Sequence, residues 1–138
     1  MATSTMTGGR VAHVGPLRIA IIVLVAATAL AHLYLGISTA MSAATQAAPA
    51  GVSILAALFI LNFGGYAVLG IAYNLPALRR LQGLTRVVLI LYTALTILAY
   101  FAVNQSNSID VLGLSDKAVE IALIALLVIE GRRRMSQR

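Results

Sequence analysis

The sequence predicts an all-α membrane protein, a four-transmembrane-helix antiparallel bundle with both termini cytoplasmic. Three observations predict it. Four apolar stretches, about 18–40, 52–73, 87–103 and 117–130, take up most of the 138 residues. Hydrophobic residues make up 60% of the chain and charged residues 10%, where a soluble domain carries about 25% charged residues. The few charges are also segregated. Arg79, Arg80 and Arg86 share one connecting segment, and Arg132, Arg133, Arg134 and Arg138 share the tail.

A spanning helix needs about 20 mostly apolar residues, because a hydrocarbon core about 30 Å thick is crossed at 1.5 Å per residue. The first two stretches meet that length and the third lies at its short end. The first follows an arm, 1–17, whose Ser, Thr and Gly content predicts a flexible segment. Pro16 is tolerated at a helix start, where the first amides lack intrahelical partners. Ala29-Leu30-Ala31 imitates a signal-peptide cleavage site, but the apolar run continues through Leu33, Tyr34, Leu35 and Ile37, so the segment reads as a retained helix.

The first loop, 41–51, is uncharged and contains Gln46, Pro49 and Gly51. Helix 2 should end at Asn74-Leu75-Pro76, since the residue before proline is driven out of the helical region. A short interfacial turn over 77–84 would hold Arg79 and Arg80 at the headgroups, with Thr85 as N-cap of helix 3. The polar run Asn104-Gln105-Ser106-Asn107-Ser108 should end helix 3. Ser115 or Asp116 should cap helix 4, whose first turn, with Lys117 and Glu120, would then lie among headgroups. Short connections make neighbours antiparallel. The domain of four helices thus covers 18–131, followed by a basic tail, 132–138.

Arg10 and Arg18 precede helix 1, the second loop and the tail are basic, and the third loop holds Asp110 and Asp116 without a basic residue. Cytoplasmic loops are enriched in Lys and Arg, so every cationic segment can face the cytoplasm at once. This predicts an N-in, C-in protein of a prokaryotic cytoplasmic membrane. The net charge of +6 does not point to nucleic acid, because Arg79, Arg80, Arg86, Arg132, Arg133 and Arg134 flank apolar helices, where they set topology or meet anionic headgroups. There is no cysteine and no tryptophan. Disulfides and thiolate ligands are therefore excluded, and tyrosine must fill any interfacial aromatic role.

Lipid offers no hydrophobic drive for helix association, so close backbone approach at small residues must supply it. Gly36 in helix 1 and Gly64, Gly65 and Gly70 in helix 2 are the expected packing positions. Polar side chains should turn away from acyl chains. Thr28, His32 and Thr39 share a face of helix 1, Asn62, Tyr66 and Tyr73 a face of helix 2, and Tyr92, Thr96 and Tyr100 a face of helix 3. Their depths place His32, Tyr100, Glu120 and Asn62 around one outward-facing pocket, and Tyr66, on the face of Asn62, joins them as a candidate polar intramembrane site residue.

Several readings of that pocket are open. His32 can hydrogen-bond a threonine or a carbonyl across helices, ligate a haem or chlorophyll-type pigment, or relay protons with Glu120. A bis-His haem would need His32 from two subunits, because His13 lies at the other face. Glu120 can pair with Lys117 at the interface, and Asn62 can serve as interhelical glue. A phosphate loop, an H-x-x-x-H pair and a nucleophile beside a base are all missing from the sequence, so neither an enzyme nor a metal site is expected.

Ala31-His32-Leu33-Tyr34-Leu35-Gly36, Leu61-Asn62-Phe63-Gly64-Gly65-Tyr66 and Asp116-Lys117-Ala118-Val119-Glu120 resemble a pattern in small uncharacterised four-helix membrane proteins of prokaryotes, haloarchaea among them. The resemblance implies the same topology and no particular activity. The leading expectation is a non-enzymatic accessory or structural subunit of a homo-oligomer or larger membrane complex, in contact with membrane lipid. The alternatives are a small proton or cation channel or transporter using His32 and Glu120, and a protein that binds a tetrapyrrole or quinone near His32.

Overall fold

The structure, a computed structural model, describes residues 15–45, 50–103 and 111–136. Four α-helices follow one another: α1 (Pro16–Thr45), α2 (Ala50–Asn74), α3 (Gln82–Val103) and α4 (Val111–Met135). A short 3-10 helix, Pro76–Leu81, links α2 to α3. The described residues contain no strand. α1, α2 and the segment Pro76–Val103 are each long and apolar enough to cross a membrane. The chain is a membrane protein on that basis. α4 is as long as α2, but Asp116, Lys117, Glu120 and Glu130 interrupt its apolar character.

The helix boundaries follow local chemistry. Pro16 opens α1, and the amides of Arg18 and Ile19 bond to the Gly15 carbonyl at 3.0 and 3.2 Å. Leu75 is extended (φ −63°, ψ 123°), as its position before Pro76 requires, and this ends α2. Two expected caps are corrected. α3 begins at Gln82, before Thr85, whose hydroxyl donates back to the Leu81 carbonyl at 3.1 Å. α4 begins at Val111, so Ser115 and Asp116 lie inside it, and Ser115 donates back to the Val111 carbonyl at 2.8 Å. The hydroxyls satisfy themselves within the helix instead of capping it. α4 also continues to Met135, which carries Arg132, Arg133 and Arg134 into its last turn, where cations complement the helix dipole. The expectations for the arm before residue 15, for Gln46 and Pro49, for 104–108, for Asp110 and for Arg138 lie outside the described residues.

The helices form a closed ring of contacts, α1 to α2, α2 to α3, α3 to α4 and α4 to α1. The cross-helix pairs run in opposite senses along each neighbouring pair, so consecutive helices are antiparallel. Arg18 at the start of α1 meets Asn74 at the end of α2, Tyr92 meets Asn62, and Gln82 at the start of α3 meets Arg134 near the end of α4. The apolar core comprises Ile21, Val25 and Ala29 of α1, Tyr66 and Tyr73 of α2, Leu89 of α3, and Leu123 and Leu127 of α4. Most other large apolar side chains face outward. Leu61 and Leu98 are 69% and 67% exposed, whereas Asp116, Lys117, Glu120 and Glu130 are buried. Apolar outside and charged inside is the inverse of a soluble protein, and it suits a hydrocarbon surround.

Glycines set the closest approaches. A β-carbon at Gly36 would lie 2.8 Å from the Ile60 side chain, one at Gly70 2.7 Å from Val25, and one at Gly65 2.1 Å from the Tyr92 hydroxyl. Gly64, expected to share this role, has open space where its β-carbon would be. It lies one helical step, about 100°, from Gly65, which turns it out of the contact. Gly113 and Gly131 of α4 pack against Tyr100 and Arg86 of α3. We predict that Gly65→Ala, which overpacks the α2–α3 contact, destabilises the detergent-solubilised protein by about 1–3 kcal/mol. Gly64→Ala should change stability by less than about 0.5 kcal/mol. Thermal unfolding of the two variants, side by side, checks this.

Candidate functional site

α4 carries the chemistry on its buried stripe. Gly113, Asp116, Lys117, Glu120, Leu123, Leu127, Glu130 and Gly131 are its buried residues, and their spacing of three or four keeps them on one face. Apolar residues occupy the middle of that face and charges both ends. The helix can therefore pack only if its neighbours supply polar partners at two levels.

At the first level, α1 contributes His32. Its Nδ1–H donates to the Thr28 carbonyl at 2.9 Å. A carbonyl only accepts, so Nδ1 carries a proton. Nε2 faces α4, 3.8 Å from Asp116 Oδ2 and 3.9 Å from Glu120 Oε1. α2 contributes Tyr66, whose hydroxyl donates to Glu120 Oε1 at 2.9 Å. α3 contributes Thr96, whose hydroxyl is 3.0 Å from the same oxygen and 3.0 Å from Tyr66 Oη. Lys117 Nζ donates to Glu120 Oε2 at 2.6 Å and lies 3.0 Å from Asp116 Oδ2. Side chains from all four helices converge here, and His32, Tyr66, Asp116, Lys117 and Glu120 are each at least nine-tenths buried.

The predicted site residues divide accordingly. His32, Tyr66 and Glu120 come together. Tyr100 stands beside them, with the Lys117 ammonium 5.4 Å from its ring centre and its ring against Gly113. Asn62 stays outside the network; its carbonyl accepts from the Tyr92 hydroxyl at 3.4 Å. His32 bonds within its own helix, not across helices. The Lys117–Glu120 pair forms as the i, i+3 spacing allows, but in the protein interior. α4 starts six residues earlier than expected, which moves this pair out of the first turn. Asp116, the expected cap, is a full member of the site.

A second polar centre lies at the arginine-rich end. Tyr73 of α2 donates a short hydrogen bond to Glu130 Oε2. Arg134 bonds Glu130 Oε1 at 2.8 Å and Gln82 Oε1 at 2.9 Å. Arg18 lies over the Tyr73 ring and bonds the Tyr73 carbonyl and the Asn74 side chain, both at 3.3 Å. Tyr73 reads from sequence as an interfacial anchor, and Glu130 as the end of a helix. The clue was available: Glu120, Leu123, Leu127 and Glu130 are spaced three, four and three apart, so the two acids flank one leucine seam. Of the expected topology-setting arginines, Arg79, Arg80, Arg132 and Arg133 are exposed, Arg134 is engaged with Glu130, and Arg86 packs on Gly131.

The first centre can hold a cation. His32, Asp116 and Glu120 each offer a ligand atom within 4.8 Å of one another. The Lys117 ammonium already serves both carboxylates, so a divalent ion would have to displace it. A tetrapyrrole on His32 fits poorly, because Asp116 and Glu120 close the approach to Nε2 within 3.9 Å. A proton needs no such room. The centre sets two carboxyl groups, Asp116 and Glu120, against one amine, Lys117, and one imidazole, His32.

Beside the centre is a cleft of about 520 Å³. Its polar wall includes His32, Asn62, Tyr92, Tyr100 and Asp116, and its rim includes Leu58, Leu61 and Leu95. A second groove of about 940 Å³ runs between α1 and α2, with Arg18 and Arg79 at one end.

Removing one partner of a buried ion pair leaves the other uncompensated, at a cost of about 3–5 kcal/mol. We predict that Lys117→Met causes a loss of that order, and that adding Glu120→Gln recovers part of it, because one of the stranded carboxylates is then neutral. Unfolding of the single and double variants in detergent measures the recovery.

Compared with known proteins, the chain matches no family model, and no curated protein or solved structure is significantly similar to it.

Proposed function

We propose that the protein spans a prokaryotic cytoplasmic membrane four times, with both termini inside, and that it is a small proton-binding transport protein working through His32 and Glu120. The observation that carries this reading is the buried centre of His32, Asp116, Lys117 and Glu120, in which an imidazole faces two carboxyl groups that share one amine. Ionisable groups are costly within a membrane, and where they occur they mark ion and proton pathways. The inward turn of its charges supports α4 as the fourth span. Its outer surface is then apolar between the two polar centres, which lie ten positions, or about 15 Å, apart along the helix.

In this reading His32 Nε2 is the proton acceptor. Glu120 and Asp116 stabilise the imidazolium by charge, Lys117 keeps the two carboxylates from repelling each other, and Tyr66 and Thr96 hold Glu120 in place. The Tyr73–Glu130–Arg134 centre is the counterpart at the cytoplasmic end. Leu89, Leu123 and Leu127 separate the two in a dry layer, which makes the described conformation closed towards the cytoplasm. The exposed arginines at that end, with the groove capped by Arg18 and Arg79, support contact with anionic lipid headgroups. Proton flux in reconstituted liposomes tests the reading. Acidifying one side should drive dye-reported flux that falls to the protein-free background in His32→Ala and Glu120→Gln. A wild-type protein that is folded and inserted, yet gives no flux, would replace this reading with the accessory-subunit role.

A further inference from the structure

The cleft beside the buried centre has features that a proton site alone does not require. We infer that it binds, at Asp116, an amphiphile with a protonated amine head and an apolar body; this rests on the transport reading of the same centre. Three observations define the ligand. First, Asp116 is 6% exposed, and its Oδ1 has no hydrogen-bond partner, although the residue lines the cleft. A buried carboxylate oxygen without a donor is costly, and an ammonium N–H supplies the donor. Lys117 cannot do so, because it is held by Asp116 Oδ2 and Glu120 Oε2 at 3.0 and 2.6 Å. Second, two carboxyl groups, Asp116 and Glu120, share the single Lys117 ammonium, an arrangement that favours a further cationic head. Third, the rings of Phe59, Tyr92 and Tyr100 line the same cleft, and aromatic faces attract cations.

The approach route sets the body of the ligand. Leu58, Leu61 and Leu95 at the rim are 55%, 69% and 63% exposed, so the cleft opens sideways on the apolar surface of the protein. A ligand that enters there comes from the bilayer. Its amine would meet Asp116 Oδ1 while its body stays between α2 and α3.

The test uses full-length protein in nanodiscs and a dansylated diaminooctane, which has one free primary amine on a fluorescent apolar body. The wild type should bind it saturably. The N-acetylated probe, which has lost its charge, should not bind saturably. Asp116→Asn should abolish binding, and so should Ala99→Trp, which fills the cleft without touching the charged centre. Equal affinity for the acetylated probe, or unchanged affinity in Asp116→Asn, overturns the proposal. Should Asp116→Asn fail to insert, saturable binding that survives Ala99→Trp overturns it as well. Amine binding without proton flux would sink the transport reading and leave the amine site standing. Proton flux without amine binding would do the reverse.

Discussion

The whole arrangement depends on how Lys117 is held. Its ammonium sits 2.6 Å from Glu120 and 3.0 Å from Asp116, all three on adjacent turns of one helix and all three buried. Charges taken out of water are tolerated only when paired and hydrogen-bonded. α4 meets most of that demand by itself, and the remainder falls to its neighbours. Tyr66 and Thr96 must reach Glu120, and His32 must stand opposite both carboxylates. The register of α1, α2 and α3 against α4 is therefore fixed by polar groups, in a protein whose surfaces are otherwise smooth and apolar.

The second centre repeats this logic with different parts. Glu130 is satisfied by Tyr73, an aromatic hydroxyl from α2, and by Arg134 one turn further along α4. Two polar ties, one on each side of a leucine seam, prevent α4 from sliding along or rotating within the ring of helices. Gly113 and Gly131 lie just beyond each tie, where Tyr100 and Arg86 of α3 press against the α4 backbone. Close approach and charge pairing thus occur at the same levels. This is expected where dispersion and hydrogen bonds, not water exclusion, hold helices together.

The two centres differ in what the ties leave unsatisfied. The arginine-rich centre is saturated: both oxygens of Glu130 have donors. The first centre is not. Nε2 of His32 lies beyond hydrogen-bond distance of either carboxylate, and Asp116 Oδ1 lacks a partner. Such asymmetry between otherwise similar centres separates a site that can change its occupancy from one that only holds the fold. The adjacent cleft gives this centre access to the apolar surface.

The helices were legible in the sequence because length and composition alone satisfy a hydrocarbon layer. Pro16 and Pro76 marked two boundaries through backbone sterics that need no partner. The meeting of His32, Tyr66 and Glu120 was also legible, since depth along each apolar run brings them to one level. What the sequence could not determine was rotation. An apolar helix has no wet face to orient it, so Gly64 and Gly65 looked equivalent although only Gly65 meets Tyr92. Ser115 and Asp116 looked like caps because a helix start is a local signal, yet α4 begins more than a turn earlier, at Val111, and carries Gly113 against Tyr100. Only the tertiary structure decided that α4 turns its charges inward, because that choice depends on Tyr66, Thr96 and His32 standing ready on three other helices. The sequence by itself determined a membrane protein with suspect polar residues; the packing decided which of them share a charge.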